Sequence, residues 1–228
     1  MSDLAPTGNH DLPRFLRQWY GEPTSPGADT GGAQRSIPGE LTEWHGVAAQ
    51  WDGVITPQNY AIPLQDLKIE DGKVPFWAEN QGTRLWAFDP EDRGHAVYER
   101  EPGEDPGPWL PVGEKLSDFL VHATILEAIF GAPASKMPQG VDVEFLVART
   151  EAEYLAFSEW RWPAPGSRVM RGENWLALVH PSGSPGPGYD VMLAALSLED
   201  LAWTDRFPEI RWQSFSDSDS ASAEPLPW

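Results

Sequence analysis

The sequence predicts an α+β fold: two helices, several strands in a meander and a third helix, with a smaller α+β region behind them. Three observations carry that prediction. Residues 76–89 hold two aromatic-rich runs on either side of Asn80-Gln81-Gly82, and Gly, with Asn, tolerates the positive φ of a tight hairpin turn. Leu116, Phe119, Leu120, Ala123, Leu126, Ile129 and Phe130 make one broad apolar face behind the capping residue Ser117, and Gly131 with Pro133 stops the run. Ahead of the strands, two shorter stretches repeat apolar residues at helical spacing.

In chain order, residues 1–10 are polar and loose. Asp11 caps a helix whose stripe is Leu12, Phe15, Leu16 and Trp19, and Gly21 ends it. Residues 22–36 offer Pro, Gly, Ser and Thr without a large apolar side chain and read as a flexible loop, which closes an N-terminal segment of 1–36. Pro38 opens a second helix carrying Leu41, Trp44, Val47, Ala48 and Trp51, closed by Asp52-Gly53. His45, beside that stripe, reads as a packed or surface histidine. Residues 67–70 read as a strand turning at Asp71-Gly72 into the central hairpin. On that hairpin Phe76 and Ala78 share one face, and Arg84, Trp86 and Phe88 share another. Trp86 and Phe88 should lie between sheet and helix, against Phe119 or Leu120. A strand over 96–101 comes next, and Trp109 sits among Pro106, Pro108 and Pro111 in a turn-rich connection.

Charge is the strongest compositional signal. With 35 acids against 16 Lys and Arg, the net charge is −19 and the pI about 4.5. Phosphate backbones would be repelled, which argues against nucleic acid as a ligand. A basic protein would be drawn in. The plainer reading is that acidity keeps the protein soluble. Between residues 89 and 105 stand Asp89, Glu91, Asp92, Glu99, Glu101, Glu104 and Asp105 against Arg93 and Arg100. Either this is solvated loop charge, or Glu91, Asp92, Glu99, Glu101, Glu104 and Asp105 form a binding face with Trp109 as its aromatic contact. Cysteine is absent, so no disulfide or thiolate site is available. No leader-like or membrane-spanning stretch is seen, which reads as a soluble, cytoplasmic protein.

Over roughly residues 35–131 the sequence resembles the SUKH superfamily, Smi/Knr type. Ile37-Pro38-Gly39-Glu40-Leu41-Thr42-Glu43-Trp44 is similar to that family's proline-led helix. Glu79-Asn80-Gln81-Gly82, followed by the strand bearing Trp86, is similar to its Glu-Asn-Gln-Gly hairpin. Val97-Tyr98 and Trp109 resemble the next strand and the return, and Leu116-Ser117-Asp118-Phe119-Leu120 the closing helix. The resemblance implies a twisted, mostly antiparallel sheet packed by helices, a core of 37–131. It implies, for bacterial members, immunity proteins that neutralise polymorphic toxins, nucleases included, and for others intracellular interaction scaffolds. It brings no catalytic residue, and it makes Glu79, Asn80, Gln81, Gly82 and Trp86 structural motif positions.

Beyond Pro133 the pattern is weaker. Residues 141–147 alternate like a strand, and Thr150 with Glu153 suggests a capping box for a helix through Trp160. Residues 168–171 and 175–180 read as strands across Gly172-Glu173-Asn174. After the loop 181–188 comes an apolar strand over 189–196, then a helix capped by Ser197 and Asp200, then a last strand at Arg211-Trp212-Gln213. The region 132–213 is either a small unit of its own or an extension of the first sheet. The tail 214–228, rich in Ser and acids, reads as disordered.

Catalytic signatures are missing. His10, His45, His95, His122 and His180 are scattered, and no nucleophile elbow or phosphate-cradling loop occurs. Ser182-Gly183-Ser184 is flanked by prolines, and Asp217-Ser218-Asp219 lacks the later ligands of a calcium loop. The sequence therefore points to no catalytic residue, no metal and no cofactor. Three readings compete, in this order: an immunity protein capping a basic toxin, a cytoplasmic interaction scaffold, and an unrecognised enzyme.

Overall fold

The computed structural model describes residue 6 and residues 11–27, 37–51, 55–138, 141, 143–150, 152–182 and 188–216. Helix α1 (Leu12–Tyr20) buries Leu12, Phe15, Leu16 and Trp19, as their spacing requires. Asp11 does not cap it: its backbone is itself helical, and its carboxylate lies 3.5 Å from Arg14. Gly21 takes φ +81 and donates its N–H to the Arg17 carbonyl. The first part of the expected flexible loop is held, because the Thr24 and Ser25 N–H groups both donate to the Gln50 carbonyl. Residues 28–36 lie outside the described residues. Helix α2 (Gly39–Ala48) starts behind Pro38 and continues as a 3₁₀ turn, Ala49–Trp51, which buries Trp51. The expected stop at Asp52-Gly53 also lies outside the described residues.

The first sheet has the order β1 (Asn59–Ala61), β2 (Val74–Glu79), β3 (Leu85–Phe88), β4 (Ala96–Arg100) and β5 (Leu110–Lys115), every neighbouring pair antiparallel. The hairpin at 76–89 is its centre. Strict alternation fails on β2, where a register shift between Pro75 and Trp77 sends both Phe76 and Trp77 toward Phe119. Residues 67–70 are no strand. A single bridge, Glu70 to Lys73, closes the Asp71-Gly72 turn, and the pairing strand is β1 instead.

Helix α3 (Leu116–Phe130) begins two residues earlier than a Ser117 cap would place it, with Lys115 at the cap position and no side-chain cap bond. It buries 12 of its 15 residues, so it is covered on all sides rather than on one face. The second cover is another sheet, of order β11 (Gln213–Ser216), β6 (Ala134–Met137), β10 (Tyr189–Ala195), β9 (Trp175–Pro181), β8 (Arg168–Gly172) and β7 (Glu153–Tyr154). Helix α3 packs on β4 and β5 of the first sheet and on β9 and β10 of the second. One core cluster joins Trp86 and Phe119 to Val169, Leu176, Leu178 and Ala194. The later residues thus build a sheet of their own rather than extend the first.

Several expectations for this half are corrected. Residues 143–150 form helix α4 (Val143–Thr150), and Val141 contributes only a bridge to Tyr189. In place of a capped helix through Trp160 there is β7 and an extended segment, with Leu155 bonded to Val169 and Trp160 to Ser167. Ser197 does accept the Asp200 N–H, but the next element is the 3₁₀ turn Ala202–Arg206 rather than an α-helix. The last strand starts at Gln213, so Ser214, Phe215 and Ser216 pair with β6 instead of opening a loose tail. Residues 217–228 lie outside the described residues.

Candidate protein-binding face

Strand β4 sorts the acidic stretch into two directions. Val97 and Glu99 point toward α3, whereas Tyr98 and Arg100 point out. The turn at 70–73, with Asp71 at φ 50 and Gly72 at φ 77, folds back over that outer surface. Lys73 Nζ stands 4.6 Å from the Tyr98 ring centroid and 3.1 Å from Asp89 Oδ2. Arg100 is clamped: Nη1 donates to Asp71 Oδ2 at 2.6 Å, Nη2 to Glu70 Oε2 at 3.2 Å, and the guanidinium lies 4.1 Å over the Trp109 ring. Trp109 Nε1 donates to the Glu70 carbonyl at 3.4 Å. Glu70 and Asp71 keep 51% and 70% of their side-chain surface exposed. Beside them Glu101, 3.5 Å from Arg84, is 75% exposed, and Glu104 with Asp105 are exposed in the same loop. Glu70 and Asp71 thus hold the arginine that pins Trp109, and Glu101, Glu104 and Asp105 stand exposed in the loop that leads to it.

Two of the acids expected there are elsewhere. Residues 89–95 and 101–109 leave opposite ends of β4, which separates Glu91 and Asp92 from the Trp109 cluster by roughly 14 Å of strand. In that loop Asp89 accepts the Glu91 N–H, and Asp92 accepts the N–H groups of Gly94 and Ala96. These backbone donors hold both aspartates below the ordinary carboxylate range. Glu99 is corrected outright: it is 2% exposed and accepts Arg161 Nη1 at 2.9 Å. Arg161 also donates to the Pro111 carbonyl, so this pair ties the 158–162 segment to β4 and β5. Glu70, Asp71 and Arg100 were missed because nothing local says that the 70–73 turn folds over β4. The only legible signal was Asp71-Gly72 itself.

The motif positions have a clear physical role. Glu79 is 3% exposed, and its Oε2 accepts the N–H groups of Gln81 and Thr83 and the Thr83 hydroxyl. The buried carboxylate folds the turn around itself, and Gly82 takes φ +71. Asn80 and Gln81 stand exposed at its tip. Trp86 is buried among Phe119, Trp160 and Trp162, with ring centroids 5.9, 5.9 and 5.6 Å away. Glu114 and His122 form a buried pair at 2.9 Å; Glu114 also accepts from Ser158 N and Trp160 Nε1, and His122 stacks on Phe157. Both are enclosed, so this pair fastens segments rather than meeting a substrate. Lys136 does likewise, donating to Leu201 O, Thr204 Oγ1 and Asp205 Oδ1.

Among the described residues no group of three or more His, Asp or Glu side chains is placed to hold a metal ion, and no helix is long and apolar enough to cross a membrane. No family model, curated protein or solved structure matches the chain.

Proposed function

We propose that this is a non-enzymatic immunity protein that binds a basic protein toxin, such as a nuclease, and neutralises it by covering its working surface. The observation that supports this most is the pinned Trp109, with Glu70 and Asp71 on the arginine that holds it and the exposed acids Glu101, Glu104 and Asp105 in the loop that leads to it. The field of a chain with net charge −19 speeds encounter with a basic partner, and a rigidly held indole supplies short-range affinity. Trp109 suits that part because Arg100 and the Glu70 carbonyl already fix its ring, so little side-chain freedom is lost on binding. The resemblance of residues 35–131 to the SUKH superfamily supports a toxin as the partner. No group on this chain needs to perform chemistry.

The test is association kinetics with any toxin domain that a neighbouring gene encodes, at two ionic strengths. Reversing Glu101→Lys and Asp105→Lys together should slow association about tenfold and weaken its salt dependence, with the fold intact. Unchanged rates in the folded variant remove this face from the mechanism. A wild-type chain that neither binds that toxin nor protects against it moves the reading to an interaction scaffold.

A further inference from the structure

Alternate residues of β9 face opposite ways. Leu176 and Leu178 join the core around α3, while Trp175, Ala177 and Val179 form a second core, against which Val147 and Trp203 pack. At the edge of that second core opens a cleft of about 590 Å³. Its walls are the C-terminal end of α4, the turn between β8 and β9, and the 3₁₀ turn Ala202–Arg206 with the residues on either side of it. The cleft lies entirely beyond residue 131, outside the family-like stretch.

Its aromatic wall is preformed. Trp203 lines the cleft and is only partly covered. Trp175 packs against it with ring centroids 5.1 Å apart, and Phe207 and Trp212 meet it edge-on, each at 6.1 Å. Gly172 makes room for Trp175, since a Cβ there would stand 2.1 Å from the indole. A ring held by three others loses little freedom when a ligand stacks on it.

The rest of the lining is polar and of both signs. Glu173, Glu199 and Asp200 bring carboxylates, Arg149 and Arg206 bring guanidiniums, and Asn174, at φ 61 in the hairpin turn, brings an amide. Guanidiniums only donate hydrogen bonds and ionised carboxylates only accept them. A phosphate would satisfy the first and an ammonium the second, whereas a hydroxyl satisfies both. A purely apolar guest would strip water from the charged groups and return nothing.

We propose that this cleft binds a neutral saccharide. One sugar ring stacks its C–H face on Trp203, and its hydroxyls bridge the carboxylates and guanidiniums. A cavity of roughly 150 Å³ takes a benzene ring, so the cleft has room for a disaccharide. The site owes nothing to the toxin-binding face, whose residues belong to the first sheet and its loops.

The experiment titrates the full chain, labelled for amide NMR, with maltose, cellobiose, lactose and N,N′-diacetylchitobiose, each to about 20 mM so that a millimolar Kd is read. At least one should shift the amides of 149–150, 173–175 and 199–207 saturably. Trp203→Ala should weaken that binding at least about tenfold. Trp203 also packs in the second core, so the exposed pair Glu173→Ala with Glu199→Ala serves as a second variant. It should leave the thermal transition unchanged and weaken binding about tenfold. Parental affinity in the folded double variant, or shifts confined to other residues, overturns the site. Absence of shifts with all of these sugars does the same. Tighter binding of glucose 6-phosphate, glucosamine or phenylalanine than of any disaccharide overturns neutral selection and assigns the cleft to an anion, a cation or a zwitterion.

Discussion

Glu127, fully buried on α3, accepts the N–H groups of Gln58 and Asn59 on one oxygen and the Asn59 side-chain amide on the other. Burial still raises its carboxyl above the ordinary carboxylate range, and these bonds only partly offset it. Its contribution to stability is therefore fully present below the unfolded carboxyl's pKa and is lost as pH rises through the higher folded value. Asn59 Oδ1 has no partner among the described residues, and turning that amide over would let a protonated Glu127 donate to it. Glu127→Gln, which carries such a donor permanently, should stay within about 1 kcal/mol of the parent at neutral pH and flatten the slope. Glu127→Ala should cost about 1–3 kcal/mol by stranding two backbone donors. Urea unfolding between about pH 4 and pH 8 checks both. Trp86 makes a second residue-scale case. Its removal as Trp86→Ala should cost about 3–5 kcal/mol in chemical denaturation, because rings from both halves close on it. Its indole N–H is buried without a partner among the described residues, so Trp86→Phe should be much milder.

At the scale of elements, β4 shows why a run of acids in sequence is not a face in space. Glu99 and Glu101 are two residues apart, yet one is enclosed under Trp86 with Arg161 and the other is mostly exposed. Glu99→Lys should therefore destabilise by about 3–5 kcal/mol, because it buries an ammonium beside a guanidinium. Glu101→Lys should stay within about 0.5 kcal/mol. Equal denaturation midpoints for the two variants would contradict this assignment of faces. The elements that sequence reading recovers are those whose signal is local. The turns at Asp71-Gly72 and Asn80-Gln81-Gly82, the stripe of α1 and the pairing of β8 with β9 all come from adjacent residues. Strand β5 escapes notice because its inward residues are Val112 and Glu114, and a buried glutamate breaks the apolar alternation. Strand β6 escapes because Lys136 is buried on it, satisfied by Thr204 and Leu201 from 65 or more residues away. The seven-residue run 141–147 is short enough to fit either period.

For the whole molecule, the deciding feature is that α3 is shared. Phe119 stacks on Trp160 at 4.8 Å, Trp44 Nε1 donates to Thr124 on the α2 side, and β9 and β10 cover the remainder of the helix. Residues 1–131 expressed alone would present to water the part of that helix that β9 and β10 cover. They should fail to give a cooperative thermal transition, although the family-like stretch lies entirely within them. A sharp two-state melt of that fragment, with dispersed amide resonances, would show that the second sheet is dispensable.

Local and long-range information separate in this chain. Composition and local order already carried the α+β class, the central hairpin, the long apolar helix and the strong negative charge, because each depends on residues within a few positions of one another. Which acids share a surface was decided only in three dimensions. The fold-back of Glu70 and Asp71 over Arg100, the inward turn of Glu99 and the separation of Glu91 from Glu101 come from strand pairing and from a salt bridge spanning 62 residues. Such contacts depend on where chain segments meet across the core, and no short-range pattern records that.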